Sequence, residues 1–143
     1  MATHRCEFCH EYIPASQYAA HVSEHRKLRP DGQQQEYATL PPEVIQEKGI
    51  SDAPKWYRHN TCGGVTGMPD EIIRTYLVNP WFYLADRSFC TGCNKHIPCK
   101  ELTWIDTGEN MQNYNDRLRA AKPEYRPGFL KRLLVRILNM FAQ

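Results

Sequence analysis

No apolar run in this sequence exceeds five residues, the longest being Trp81–Ala85. A membrane-crossing helix needs about 20, so no such span is expected. A dominant charge is missing too: 18 Lys/Arg stand against 16 Asp/Glu, for a net charge of +2, which with 41% hydrophobic residues argues against a wholly disordered chain. The opening Met1-Ala2-Thr3-His4-Arg5-Cys6 lacks the apolar core of a secretory signal, so a reducing, cytoplasmic compartment is expected. Signatures of catalysis are scarce. There is no His-Glu-x-x-His, no His-x-Glu companion to a Cys-x-x-Cys as in deaminases, and no Walker lysine after Gly63-Gly64-Val65-Thr66-Gly67. With ten prolines and eight glycines in 143 residues, the elements should be short and the core modest.

What the chain does have is six cysteines and six histidines. Four of the cysteines form two Cys-x-x-Cys pairs, Cys6/Cys9 and Cys90/Cys93, with histidines at ligand spacing nearby. Zinc explains this better than disulfides do, because four thiolate and imidazole ligands close a tetrahedral site. Two zinc ions per chain are expected.

The first set is Cys6, Cys9, His21 and His25. Two cysteines three apart place both sulfurs on one side of a turn, and two histidines four apart share one face of a helix. Ala15 to Lys27 can form that helix. Ile13, Tyr18 and Phe8 are candidates for a small apolar core, while His4 and His10 flank the site and should face solvent. In these residues the segment 6–25 resembles a Cys2His2 zinc finger, which implies a ββα-like unit. Eleven residues separate Cys9 from His21, where that family has about twelve, so a tightened hairpin is expected. The positions that would contact bases are Pro14, Gln17 and Ala20, and they offer no arginine for guanine. The resemblance therefore favours a structural or protein-binding finger.

The second set is His59, Cys62, Cys90 and Cys93, two half-sites with 27 residues between Cys62 and Cys90. Gly63 follows Cys62 and Asn94 follows Cys93, residue types that tolerate the positive φ common after a knuckle's second ligand. Together the set resembles a Cys3His site of zinc-ribbon type. His96 and Cys99 compete with His59 for the fourth position, and Cys99 otherwise reads as a buried thiol. A redox role for Cys90/Cys93 would need a helix directly after the pair, which Asn94-Lys95-His96-Ile97-Pro98 does not favour.

Elsewhere, Pro42–Lys48 reads as a short helix closed by a left-handed Gly49, and Lys55–Asn60 as extended. Met68–Val78 reads as a helix opened by Pro69, and Trp81–Ala85 and Lys100–Ile105 as strands. Residues from a Thr107 cap to Ala121 read as a helix, and 129–142 as the last one. The expected architecture is α+β, built of small zinc-stabilised modules. A finger occupies 1–29, a linker with a short helix 30–54, a zinc-ribbon-like domain with helices 55–128, and a basic amphipathic helix 129–143.

The small net charge hides an asymmetry. Residues 117–143 hold seven Lys/Arg and one acid, and the first 116 hold eleven Lys/Arg and fifteen acids. In the last helix Phe129, Leu130, Leu133, Leu134, Ile137, Leu138 and Phe141 cover about half the circumference. Lys131, Arg132, Arg136 and Asn139 occupy the other half, interrupted by Val135. The simplest expectation is that this apolar face packs on its own domain. Docking to a protein partner or self-association through 129–141 comes next, and a membrane surface ranks last. The leading expectation for function is a non-enzymatic zinc-binding protein acting through protein–protein contact. Non-specific nucleic-acid binding through Arg117–Arg136 is the alternative, with stacking by Trp81, Phe82 and Tyr83, and a zinc-dependent enzyme comes third.

Overall fold

The computed structural model describes residues 2–141. The chain is α+β. A hairpin of β1 (Thr3–Arg5) and β2 (Tyr12–Pro14) leads into α1 (Tyr18–His25). The expected helix start at Ala15 is instead a turn of 3-10 helix over Ala15–Gln17. Pro14 holds φ at −53° and no side chain caps either start, so the first turn tightens before the α-helix begins.

A three-stranded antiparallel sheet in the order β4-β3-β7 forms the second unit, with β3 at Trp56–His59, β4 at Val65–Gly67 and β7 at Leu102–Trp104. Beside it stands a hairpin of β5 (Arg87–Cys90) and β6 (Lys95–Pro98). Helices α3 (Asp70–Val78) and α4 (Met111–Ala121) complete the unit. Its core gathers Tyr57, Met68, Ile73, Tyr76, Ile97, Leu102, Trp104, Met111 and Tyr114 together with the thiols of Cys90 and Cys99. The Trp104 ring sits edge-on between Tyr57 at 5.6 Å and Tyr114 at 5.7 Å, a favoured aromatic arrangement.

Pro69 precedes α3 as its N-cap, with Asp70 and Glu71 in the first turn where the helix dipole favours acids. The cap of α4 is Asn110, not Thr107: Asn110 Oδ1 accepts from the Asn113 N–H at 3.1 Å and its Nδ2 donates to the Lys100 carbonyl at 2.9 Å. Thr107 Oγ1 instead accepts from the Glu109 N–H in the turn before. Helix α2 is only Pro42–Ile45. Gly49 lies beyond it and is not among the glycines with positive φ, because the Lys48 N–H closes the turn on the Ile45 carbonyl first.

The polar stretch before α2 runs as a strap between the two units. The Thr39 N–H donates to the Glu7 carbonyl of the first unit at 2.9 Å, and the Leu40 N–H to Thr75 Oγ1 of α3 at 3.3 Å. The Tyr83 hydroxyl donates to the Ala38 carbonyl. Trp81–Ala85 is a loop, not a strand. Asn79 folds back on it, its Oδ1 accepting from the Trp81 N–H and its carbonyl from the Phe82 N–H, and the Pro80 and Tyr83 carbonyls are taken by Arg119. Those contacts occupy the groups that a strand would need for pairing.

The last helix, α5, spans Phe129–Phe141, and the expected extension to 142 lies outside the described residues. Phe129, Leu130, Leu133, Leu134, Ile137 and Leu138 stay exposed and do not pack on the body. Leu130 is 79% exposed and Leu138 59%, while Arg132 and Val135 of the opposite arc are the half-buried ones.

Candidate metal centres

Each metal-ligand turn follows one design. The first ligand ends a strand or lies next to it, two residues turn, and the second ligand is followed by a residue at positive φ. That residue returns its N–H to the carbonyl of the first ligand. The bonds are His10 to Cys6 at 2.9 Å, Gly63 to His59 at 2.9 Å and Asn94 to Cys90 at 2.8 Å, with φ of 66°, 76° and 56°. Gly63 and Asn94 were legible for this conformation. His10 was not, since histidine adopts it less readily than glycine or asparagine. Nor does His10 face solvent: it is half-buried, its Nε2 3.1 Å from Thr39 Oγ1 on the strap.

The first cluster brings Cys6, Cys9, His21 and His25 together, with their ligand atoms all within 4.8 Å of one another. Cys9 Sγ lies 3.3 Å from His21 Nε2, and the two histidine Nε2 atoms are 3.1 Å apart. The Phe8 N–H donates to Cys6 Sγ at 3.4 Å. Phe8 also stacks on the His25 ring at 5.2 Å, fixing its plane. His25 Nδ1 meets the Glu36 carboxylate from the strap. Val22 is buried beneath the histidines; Ile13 and Tyr18 are only half-buried.

The second cluster joins His59, Cys62, Cys90 and Cys93, again within 4.8 Å. His59 Nδ1 lies 3.2 Å from Cys62 Sγ, 3.7 Å from Cys90 Sγ and 3.4 Å from Cys93 Sγ, and the sulfurs of Cys62 and Cys90 are 3.4 Å apart. Here Nδ1 faces the sulfurs, so Nε2 is left for Thr61 Oγ1 at 3.1 Å and Glu101 Oε1 at 3.5 Å. A ligating imidazole held by a carboxylate at its other nitrogen keeps one tautomer and one orientation. Glu36 and Glu101 both serve this way. Neither was visible in the sequence, because no local spacing ties Glu36, 11 residues after His25, or Glu101, 42 residues after His59, to its histidine.

Two hairpins meet at this cluster. The β3–β4 turn carries His59 and Cys62, and the β5–β6 turn carries Cys90 and Cys93. Gly64 and Gly92 allow the approach: a Cβ on Gly64 would stand 2.9 Å from the Gly92 Cα, and one on Gly92 would stand 2.9 Å from Cys62 Sγ. Thr91 stitches the tips, its N–H donating to Thr66 Oγ1 at 3.1 Å and its hydroxyl to the Val65 carbonyl at 3.0 Å.

Both donor sets fit a small tetrahedral cation. With bonds of about 2.3 Å to sulfur and 2.1 Å to nitrogen, such an ion spaces its ligand atoms roughly 3.3–3.8 Å apart, and the distances above lie close to that range. The thiols are primed unequally. The Gly64 N–H, above all, draws Cys62 down to about 7, and neighbouring Cys62 foremost pushes Cys93 up to about 11. One thiolate forms readily and the next resists, a repulsion that a bound cation would remove.

His96 and Cys99 belong to neither cluster. His96 turns to the Phe89 ring at 5.6 Å. Cys99 is fully buried in the core, and burial pushes its thiol up to about 12. In the metal-loaded native protein at pH 8, Cys99 should therefore resist an alkylating reagent and react only after denaturation, as peptide mass spectrometry would show. Alkylation of Cys99 in folded protein would contradict its placement.

Trp81 and Tyr83 are tied into the fold. The Trp81 indole donates to the Lys122 carbonyl at 3.0 Å, with Arg119 and Arg126 against its ring, and Tyr83 is held by the strap. Among the described residues no helix is long and apolar enough to cross a membrane. No protein-family profile, curated protein or solved structure matches this chain.

Proposed function

We propose that both clusters hold zinc as structural staples, and that the protein works by binding another protein rather than by catalysis. The donor sets support zinc: two thiolates with two imidazoles, and three thiolates with one imidazole, are characteristic closed zinc shells. A catalytic zinc keeps three protein ligands and a position for water, whereas each cluster here offers four ligands. All six cysteines are free of disulfides, in keeping with a reducing, cytoplasmic setting.

The observation that carries the binding role is the outer face of the three-stranded sheet. Strand alternation turns Tyr57 and His59 inward and Trp56 and Arg58 outward. Val65 pairs with Arg58, and Gly67 with Trp56. The Ile105 N–H donates to the Trp56 carbonyl at 2.8 Å. Trp56, Val65 and Ile105 are thus gathered on one face and remain 49%, 49% and 44% exposed. The Trp56 ring lies flat over Gly67, where a Cβ would come within 2.7 Å of it. An aromatic anchor beside an arginine on a rigid sheet suits a protein partner.

Metal analysis of the pure chain should give two zinc ions, and one or none would reject the staple reading. Capture from native lysate should then yield a protein that survives high salt and is lost with Trp56→Ser/Ile105→Ser. Capture that is labile to salt and nuclease, and indifferent to that pair of changes, would assign a nucleic-acid partner instead.

A further inference from the structure

Helix α5 faces the wrong way for a core element. Phe129, Leu130, Leu133, Leu134, Ile137 and Leu138 are between 40% and 79% exposed. The sheltered residues are Arg132 and Val135, on the polar arc. Even that seat is poorly satisfied, since Arg132 Nε is enclosed without an acceptor. Among the described residues, Arg126, Lys131, Arg132 and Arg136 form no ion pair, in contrast to Lys27 with Glu24 and Arg117 with Glu109. The Arg132 guanidinium is held below its ordinary value, first by partial burial and then by repulsion from Arg126 and Arg136.

The layout of the helix identifies what would cover it. The apolar arc spans half the circumference with no polar residue inside it. At 100° per residue, Arg136 adjoins one margin beside Phe129, and Lys131 adjoins the other beside Leu138. No acid occurs after Glu124. We propose that α5 lies in the surface of an anionic membrane, its apolar arc in the acyl boundary and its marginal cations on lipid phosphates and carboxylates. Cations at both margins of a wide apolar arc match an interfacial helix, whose long basic side chains reach back to the headgroups. The 13 residues of α5 extend about 20 Å, enough to lie along a bilayer and too short to cross one. A protein groove reads a narrower stripe of anchors. Pairing with a second copy through the apolar arc would set the marginal Lys131 and Arg136 against their like with no acid to answer them. The acidic body, with its excess of acids before residue 117, would be held away from the lipid.

The test uses the full, zinc-loaded chain and vesicles of phosphatidylcholine with or without phosphatidylserine. Co-sedimentation should require phosphatidylserine. Lys131→Gln/Arg136→Gln should weaken it about 30-fold, at roughly a fivefold step per cation. Leu134→Asp should abolish it; because Leu134 is exposed, the fold should survive, as circular dichroism would verify. Trp56→Ser/Ile105→Ser should bind vesicles like the native chain, which separates this proposal from the sheet-face reading. No vesicle binding by the native chain would overturn it. So would a dimer in sedimentation equilibrium that Leu134→Asp dissociates while vesicles go unbound. Binding to an oligonucleotide that depends on Lys131 and Arg136 but not on Leu134, with vesicles unbound, would overturn it in favour of nucleic acid.

Discussion

Stripping the metal with a chelator at neutral pH is expected to unfold residues 1–29 completely, while the second unit keeps a compact core with loosened hairpin tips. Among the described residues of the first unit only Cys6 and Val22 are buried, and Cys6 is itself a member of the Cys/His cluster. Burying one valine contributes about 1.5–3 kcal/mol, whereas ordering each backbone residue costs about 1–2 kcal/mol. The hairpin and α1 cannot stand on that margin. A structural zinc contributes about 10–16 kcal/mol at pH 7, enough to reverse the balance. The second unit differs because nine aromatic, aliphatic and methionine side chains lie with Cys90 and Cys99 in one buried cluster. Cys90 belongs to both the cluster and the metal site, so metal loss should disturb β5 before α4. Methyl resonances of Val22 should collapse to random-coil positions under chelator, while those of Leu102 and Ile73 stay dispersed. Cys9→Ser should reproduce the first effect alone. Acidification acts in the same direction, because thiolates and imidazoles must take up protons to release metal. Dispersed Val22 signals in metal-free protein would show that the first unit has a core we have not recognised.

The two Cys/His clusters were legible because metal coordination favours short, local spacing. Cys6/Cys9, His59/Cys62 and Cys90/Cys93 each form a turn within five residues, and His21/His25 share a helix face, so sequence alone carries their geometry. The orienting carboxylates Glu36 and Glu101 were not legible, because only the folded strap and the turn just before β7 bring them to their histidines. The same reason explains the reading of Trp81–Ala85 as a strand. Its aromatic run has strand composition, but its Tyr83 carbonyl is claimed by a side chain 36 residues further along. For α5 the amphipathic pattern was visible, and the side it presents to the body was not. Periodicity defines two faces, and only tertiary contacts decide which is covered.

Arg119→Leu should destabilise the metal-loaded protein by about 3–5 kcal/mol, an effect large enough to threaten the fold of the second unit. Arg119 is 7% exposed and uses its whole guanidinium. Nε donates to the Pro80 carbonyl at 3.0 Å, and Nη2 to the Tyr83 carbonyl at 2.6 Å. Nη1 and Nη2 grip the Asp86 carboxylate at 3.1 and 2.7 Å. Leucine would fill part of the space but leave Asp86 and two carbonyls without their donor, and it is this uncompensated polarity that costs most. Asp86 itself sits at a φ of 52°, and its carbonyl accepts from the Cys99 N–H at 2.8 Å, so the arginine holds the loop that joins α3 to β5. Arg119→Lys should recover less than half of the loss, since one ammonium cannot span a fork of four acceptors. Urea unfolding with an unchanged slope would measure both variants, and a loss below about 1 kcal/mol for Arg119→Leu would mean the loop is held by other contacts. The effect should reach the C-terminus as well. Lys122, three residues on, donates to the Leu77 and Val78 carbonyls at 3.0 and 3.1 Å and accepts from the Trp81 indole, which pins the end of α4 to the end of α3. Arg119 and Lys122 together therefore set the point from which the chain departs toward α5, and loosening the first should blur the orientation of the exposed helix without altering its sequence.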